Sequence, residues 1–162
     1  MPTPPTISEG SRGEVVEWAQ YLLVRFALSY NQIDGIFGPA TKAAVEQYQT
    51  FKHIGVDGIV GPITWDTLGG DRPQPPTLQE GATGALVERL QTALNEMARS
   101  TPPLVVDGDF GPLTAAAVRS VQQEGGIEVN GVVGLQTWAL PVGAAGRVIA
   151  DECGVTPPYT GG

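Results

Sequence analysis

The strongest constraint on this chain is an internal repeat. Gly10-Ser11-Arg12-Gly13 is answered by Gly81-Ala82-Thr83-Gly84. In the stretch that follows, Val16, Ala19, Gln20 and Leu23 are answered by Val87, Leu90, Gln91 and Leu94. A second block is closer still: Asp34-Gly35-Ile36-Phe37-Gly38-Pro39-Ala40-Thr41 matches Asp107-Gly108-Asp109-Phe110-Gly111-Pro112-Leu113-Thr114. A third block pairs Val56-Asp57-Gly58-Ile59-Val60-Gly61-Pro62-Ile63-Thr64-Trp65 with Val129-Asn130-Gly131-Val132-Val133-Gly134-Leu135-Gln136-Thr137-Trp138. The spacing slips by two residues between the first and second blocks, at 29–33 against 99–106. Loops absorb such changes and packed elements do not, so the repeat marks two folded units.

The first unit is expected over 8–69 and the second over 78–141. Residues 70–77 read as a linker, flexible at glycine and extended at its prolines. Residues 142–162 read as an irregular tail whose apolar piece is Val148-Ile149-Ala150. The 22 glycines and 14 prolines in 162 residues imply many turns and short elements.

In each unit the apolar spacing predicts an all-α arrangement of three helices. The first helix should run from near Gly13 to about Ser29, with Val16, Ala19, Leu23 and Phe26 on one face. Val87, Leu90, Leu94 and Met97 do the same in the second unit. The Asp-Gly turns follow: the aspartate caps backbone N–H groups, and glycine supplies positive φ. Asp34, Gly38, Asp57, Asp107, Gly111 and Asn130 are therefore read as turn-building residues. Pro39 and Pro112 suit a first helical position. Ala44, Val45, Tyr48 and Phe51 should form the buried face of the second helix, and Ala117, Val118 and Val121 their counterparts. A short third helix is expected at Pro62–Leu68 and at Leu135–Leu140. Trp65 and Trp138 stand where one wide ring plugs a small core. Ile36 and Ile59 flank the turns and suit a brief strand-like contact without a sheet.

These motifs resemble the peptidoglycan-binding domain 1 family, in two tandem copies. The pattern runs G-x-x-G-x-x-V-x-x-(L)-Q-x-x-L, then D-G-x-F-G-P-x-T-x-x-A-V-x-x-(F)-Q, then V-D-G-x-V-G-P-x-T-W, over Ser8–Leu68 and Gln79–Leu140. Ala19 stands for the usual leucine, Tyr48 and Val121 for the phenylalanine, Asn130 for aspartate, and Leu135-Gln136 breaks one Gly-Pro pair. The resemblance implies two small orthogonal three-helix bundles. It also implies a non-catalytic targeting role on the bacterial cell wall, at the cell envelope or outside the cell. The partner would be the glycan strand or the peptide stem of peptidoglycan. The alternative is a protein-interaction module that has kept the fold and lost wall binding.

Composition narrows the field. Nine basic against 17 acidic residues give a formal charge of -8, which disfavours nucleic acid and anionic surfaces. His53 is the lone histidine and Cys153 the lone cysteine, so no zinc cluster or internal disulfide is expected. No apolar run reaches membrane-spanning length. Residues 1–6 lack the basic and apolar regions of a signal peptide, which leaves the export route open. An EF-hand loop begun at Asp107 would need glutamate where Val118 stands. No nucleophile elbow, zincin helix or phosphate loop is present, so neither enzyme chemistry nor a cofactor is expected.

Candidate contact residues are those the repeat does not require. Trp18 aligns with Arg89 and Tyr21 with Thr92, off the apolar face. They suit either an exposed aromatic contact with a glycan or a protein, or a partly buried flank against the linker or the other unit. Tyr30, Asn31 and Gln32 precede the first turn, where an aromatic and two amides could bond N-acetyl groups or peptide stems. An ordinary solvated loop is the other reading.

Overall fold

Gly-Pro pairs set half of the helix starts. In the computed structural model, which describes residues 4–24, 26, 28, 32–70 and 74–140, six helices are formed. Helices α2 (Pro39–Lys52), α3 (Pro62–Leu68) and α5 (Pro112–Gly125) each open on proline, after an extended glycine with no side-chain cap. Proline has no N–H to leave orphaned there, and its φ is already helical. Helices α1 (Glu14–Leu23) and α4 (Ala85–Glu96) follow Gly13 and Gly84, whose φ values of 112° and 115° exclude a side chain at little cost. Helix α6 (Leu135–Trp138) lacks the proline and spans four residues.

The chain divides into two compact units, 1–74 and 75–162. Helices α1–α3 belong to the first and α4–α6 to the second. Among the described residues there is no named strand. Each unit instead has two isolated antiparallel bridges: Ile7 with Val60 and Arg12 with Ile36, then Leu78 with Val133 and Thr83 with Asp109. Ile36 thus makes the short contact expected of it, whereas at the second turn Val60 pairs rather than Ile59.

Both cores follow the apolar pattern. Val16, Ala19, Leu23, Val45, Tyr48 and Trp65 are buried in the first unit, and Val87, Leu90, Leu94, Val118, Val121 and Trp138 in the second. The tryptophans do more than fill space. The Trp65 indole N–H donates to the Pro5 carbonyl at 2.9 Å, and that of Trp138 to the Pro76 carbonyl at 2.8 Å. The strap before each first helix is thereby tied to the third helix, so Pro75-Pro76-Thr77, expected as linker, folds as part of the second unit. Its sequence repeats Pro4-Pro5-Thr6, a match that extends the repeat upstream.

Three expectations are corrected. Helix α1 stops at Leu23, well short of Ser29. The N–H groups of Phe26 and Leu28 both turn back to the Leu23 carbonyl, which ends the helical ladder. Phe26 leaves the helix and meets Tyr48 edge-on at 4.7 Å. Phe51 is 64% exposed instead of buried. Gln49 is drawn inward by the bonds described below, and a residue two positions on points about 200° away. Helix α6 ends at Trp138, with Ala139 and Leu140 buried beyond it.

Candidate functional site

Four buried glutamines organise everything the molecule presents on its turns. Gln20 and Gln49 lie on α1 and α2, Gln91 and Gln122 on α4 and α5. Each side-chain carbonyl accepts two consecutive backbone N–H groups. For Gln20 these are Asp34 and Gly35 at 3.0 and 2.9 Å, and for Gln49 Asp57 and Gly58, both at 3.1 Å. Gln91 takes Asp107 and Gly108 at 3.1 and 3.0 Å, and Gln122 takes Asn130 and Gly131 at 3.0 and 2.9 Å. Backbone N–H groups can only donate, which fixes the orientation of each amide.

The amide nitrogen then serves three acceptors. Gln49 Nε2 donates to Asp57 Oδ1 at 2.9 Å, to the Ile59 carbonyl at 2.9 Å and to Thr64 Oγ1 at 3.1 Å. The same set recurs for Gln20 with Asp34, Ile36 and Thr41, and for Gln91 with Asp107, Asp109 and Thr114. Gln122 repeats it with Asn130, Val132 and Thr137. Each unit is therefore built twice from one device: a helix glutamine seizes the Asp-Gly turn that launches the next helix. The glycine sits at φ near 73°, as at Gly35 and Gly58 (71°), because the turn must reverse within one residue.

Two of the turn carboxylates are favoured in their ionised form. The Ile59 N–H, followed by Gln49, lowers the pKa of Asp57, and the Asp109 N–H, followed by Gln91, lowers that of Asp107. Burial acts elsewhere: it raises the pKa of the Tyr48 phenol, whose hydroxyl donates to Thr67 Oγ1 at 3.0 Å.

Large apolar side chains stand exposed around two of the turns. In the first unit Val56, Ile59 and Ile63 are exposed around the second turn, Ile63 by 68%. In the second unit Val106 and Leu113 are exposed around the first turn, Leu113 by 72%, with Val105 beside them at 74%. There the surface dips into an open recess of about 230 Å³. Its wall is formed by Leu104, Val105, Pro112 and Leu113, with Asp107 and Asp109 alongside. Asp109 stands where the other three turns carry Ile36, Ile59 and Val132, so the second unit alone puts two carboxylates at this position.

The sequence-chosen contact residues fare differently. Trp18 and Tyr21 are 2% and 1% exposed, which overturns the reading of an exposed pair. Their rings stack at 5.5 Å with 16° between planes, and the Trp18 indole N–H donates to the Gly70 carbonyl at 2.9 Å. Trp18 thus fastens the end of the first unit. Gln32 is half-buried and already engaged within the fold. Tyr30, Asn31, Cys153 and the tail lie outside the described residues. Asp34, Asp57, Asp107 and Asn130 sit in the clamped turns. Gly38 and Gly111 precede the prolines of α2 and α5, and Trp65 and Trp138 fill the cores. Among the described residues, no group of three or more His, Cys, Asp or Glu side chains is placed to hold a metal ion. None of their helices is long and apolar enough to cross a membrane.

Duplicated three-helix units, their turns clamped by buried glutamines, define a small tandem helical scaffold. The profile of the family described as "Putative peptidoglycan binding domain" matches residues 12–68 and 83–140, and the chain belongs to that family, in two copies. Over 65 residues it is 45% identical to a zinc D-Ala-D-Ala carboxypeptidase of Streptomyces albus G, covering 39% of this chain and 26% of that one. Over 158 residues it is 28% identical to the N-acetylmuramoyl-L-alanine amidase CwlL of Bacillus licheniformis, covering 82% of this chain and 44% of the amidase. The chain thus spans less than half the length of these two enzymes. A crystal structure of a peptidoglycan-binding protein from Clostridioides difficile, in complex with glutamine hydroxamate, shares 41% identity over 43% of each chain, with a TM-score of 0.38.

Proposed function

We propose that both units bind peptidoglycan non-covalently and that the pair serves to hold a protein on the cell wall, at the envelope or outside the cell. The observation that carries this reading is the family pattern, present twice with every turn clamped. The wall-acting names of the relatives support the location. The contact surface we assign is the outward face of the turns: Val56, Ile59 and Ile63 in the first unit, and the recess bordered by Val105, Leu113, Asp107 and Asp109 in the second. Exposed aliphatic groups suit the methyls of N-acetyl groups and of alanine in peptide stems. The paired carboxylates repel acidic groups, so the recess suits a neutral or amine-bearing portion of a stem. Two weak sites on one chain raise the effective concentration at the second once the first engages.

The test is co-sedimentation of the whole chain with insoluble purified peptidoglycan at near-physiological salt. Wild-type protein is expected in the pellet. The exposed-site variants Ile63→Asp and Leu113→Asp are each expected to release part of it, and the double variant most. Protein that stays in the supernatant would sink wall binding and favour the protein-interaction alternative. Pelleting unaffected by the variants would keep wall binding and move the contact surface elsewhere.

A further inference from the structure

Asn130-Gly131 is the one Asn-Gly pair in the chain. Such a pair carries its own reaction. The glycine nitrogen attacks the asparagine side-chain carbonyl carbon, a five-membered imide closes, and ammonia leaves. Water then opens the imide at either carbonyl, giving aspartate or isoaspartate. Glycine favours ring closure because no Cβ obstructs it. We propose that Asn130 is a latent deamidation site, held shut by the Gln122 clamp, and that aspartate is the product this turn is built to accept.

The closed state follows from the hydrogen bonds. Attack requires the Gly131 nitrogen to lose its proton and swing onto the Asn130 side chain. That N–H instead donates to Gln122 Oε1 at 2.9 Å, in a buried position. The Asn130 N–H donates to the same oxygen at 3.0 Å. Two consecutive N–H groups converging on one acceptor fix the torsion between them. The side chain is held as well: Asn130 Oδ1 accepts the Val132 N–H and Gln122 Nε2, each at 2.9 Å. The Gln122 Nε2 bond polarises the carbonyl and would speed attack if the nitrogen were free. The lock on the nitrogen prevails, since ring closure cannot begin while both N–H groups are held. Reaction therefore runs through local opening, at a rate set by the open population.

The products are not equivalent. In the other three turns an aspartate Oδ1 accepts the same two donors. Aspartate at position 130 restores that arrangement and adds one negative charge. Isoaspartate routes the main chain through the former side chain, lengthening it by one carbon, and Gly131 can no longer reach Gln122. Aspartate thus fits the closed turn and isoaspartate does not.

The experiment compares the full chain with an unstructured synthetic peptide spanning residues 120–140 in mildly alkaline buffer. Deamidation is followed by the one-dalton mass gain, and isoaspartate by its own enzymatic assay. The peptide should deamidate steadily at Asn130, and the native chain at least about tenfold more slowly. Full chain held in urea should match the peptide. The Asn130→Asp protein should melt no lower than wild type. Equal rates in native chain and peptide would overturn the lock. An inert peptide would overturn the site, and a clearly destabilised Asn130→Asp would overturn the claim about its product.

Discussion

Replacing Gln49 by alanine isolates the clamp as a source of stability. The substitution removes five hydrogen bonds, but they are not equal. Asp57 is at the surface and its carboxylate can be rehydrated. The Gly58 N–H and the Thr64 hydroxyl are buried and lose a partner that water does not replace. Each such orphan costs about 1–3 kcal/mol, so the pair costs about 2–6 kcal/mol before any cavity is counted. A unit of this size is stable by only about 3–10 kcal/mol. The melting temperature of the first unit should therefore fall by at least about 8 °C. Gln49→Glu is the sharper variant. It keeps an acceptor for Asp57 and Gly58 but sets a second carboxylate where Nε2 lay 2.9 Å from Asp57 Oδ1. It should be destabilised at neutral pH and partly recover in acid. Thermal unfolding of the whole chain and amide exchange at Gly58 report the result, with the second unit as internal reference. A loss below about 1 kcal/mol, or a Gly58 amide as protected as in wild type, would refute the reasoning.

Other outcomes follow from the same geometry. Gly70→Ala should destabilise the first unit by about 1–3 kcal/mol in denaturant titration, because the new Cβ would lie 2.3 Å from Trp65 Cε3. Trp18→Phe should cost about 1–2 kcal/mol by removing the bond to the buried Gly70 carbonyl, and should leave sedimentation with peptidoglycan unchanged. Acid should weaken both units. Asp57 and Asp107 have folded pKa values below their unfolded ones, so their contribution is complete above the ordinary carboxylate range and is lost as pH falls through the depressed values, below about pH 4. Melting temperatures across that range should drop for both units of the wild type and drop less for the first unit of Asp57→Asn, whose residue 57 keeps an oxygen acceptor but does not titrate.

Much of the fold was legible because its signals are residue types with fixed backbone consequences. Proline after glycine opens α2, α3 and α5, and Asp-Gly marks the turns before them. The tryptophans recur at one place in each unit, as core residues do. Three things were obscured. Glutamine is ordinarily a surface residue, and the partners of Gln20 and Gln49 are largely backbone atoms, which leave no mark on composition. A signal did exist: glutamine, Asp-Gly and threonine recur in that order four times, with Asn130 standing once for the aspartate. Trp18 and Tyr21 are ambiguous in the sequence because the second unit carries Arg89 and Thr92 at their positions, so the repeat gives no sign that the two rings stack. The strap before α4 reads as linker because prolines suit both an extended tether and a carbonyl held by a tryptophan.

The clamp also explains how such a fold can vary what it touches. At the residue after each Asp-Gly pair, the bonds use only the backbone: its N–H meets the turn aspartate or asparagine and its carbonyl meets the glutamine. The side chain there is free, and the chain places isoleucine twice, aspartate once and valine once. Of the residues before the threonines, Ala40, Ile63 and Leu113 are exposed, and Gln136 accepts the Glu128 N–H at 3.3 Å. Stability and surface chemistry are thereby assigned to different atoms. Substitutions at these positions change the surface without unseating a buried bond, whereas changes at Gln20, Gln49, Gln91 or Gln122 unseat the turn itself. The two units can share one architecture and still differ in charge, as Asp109 makes them do.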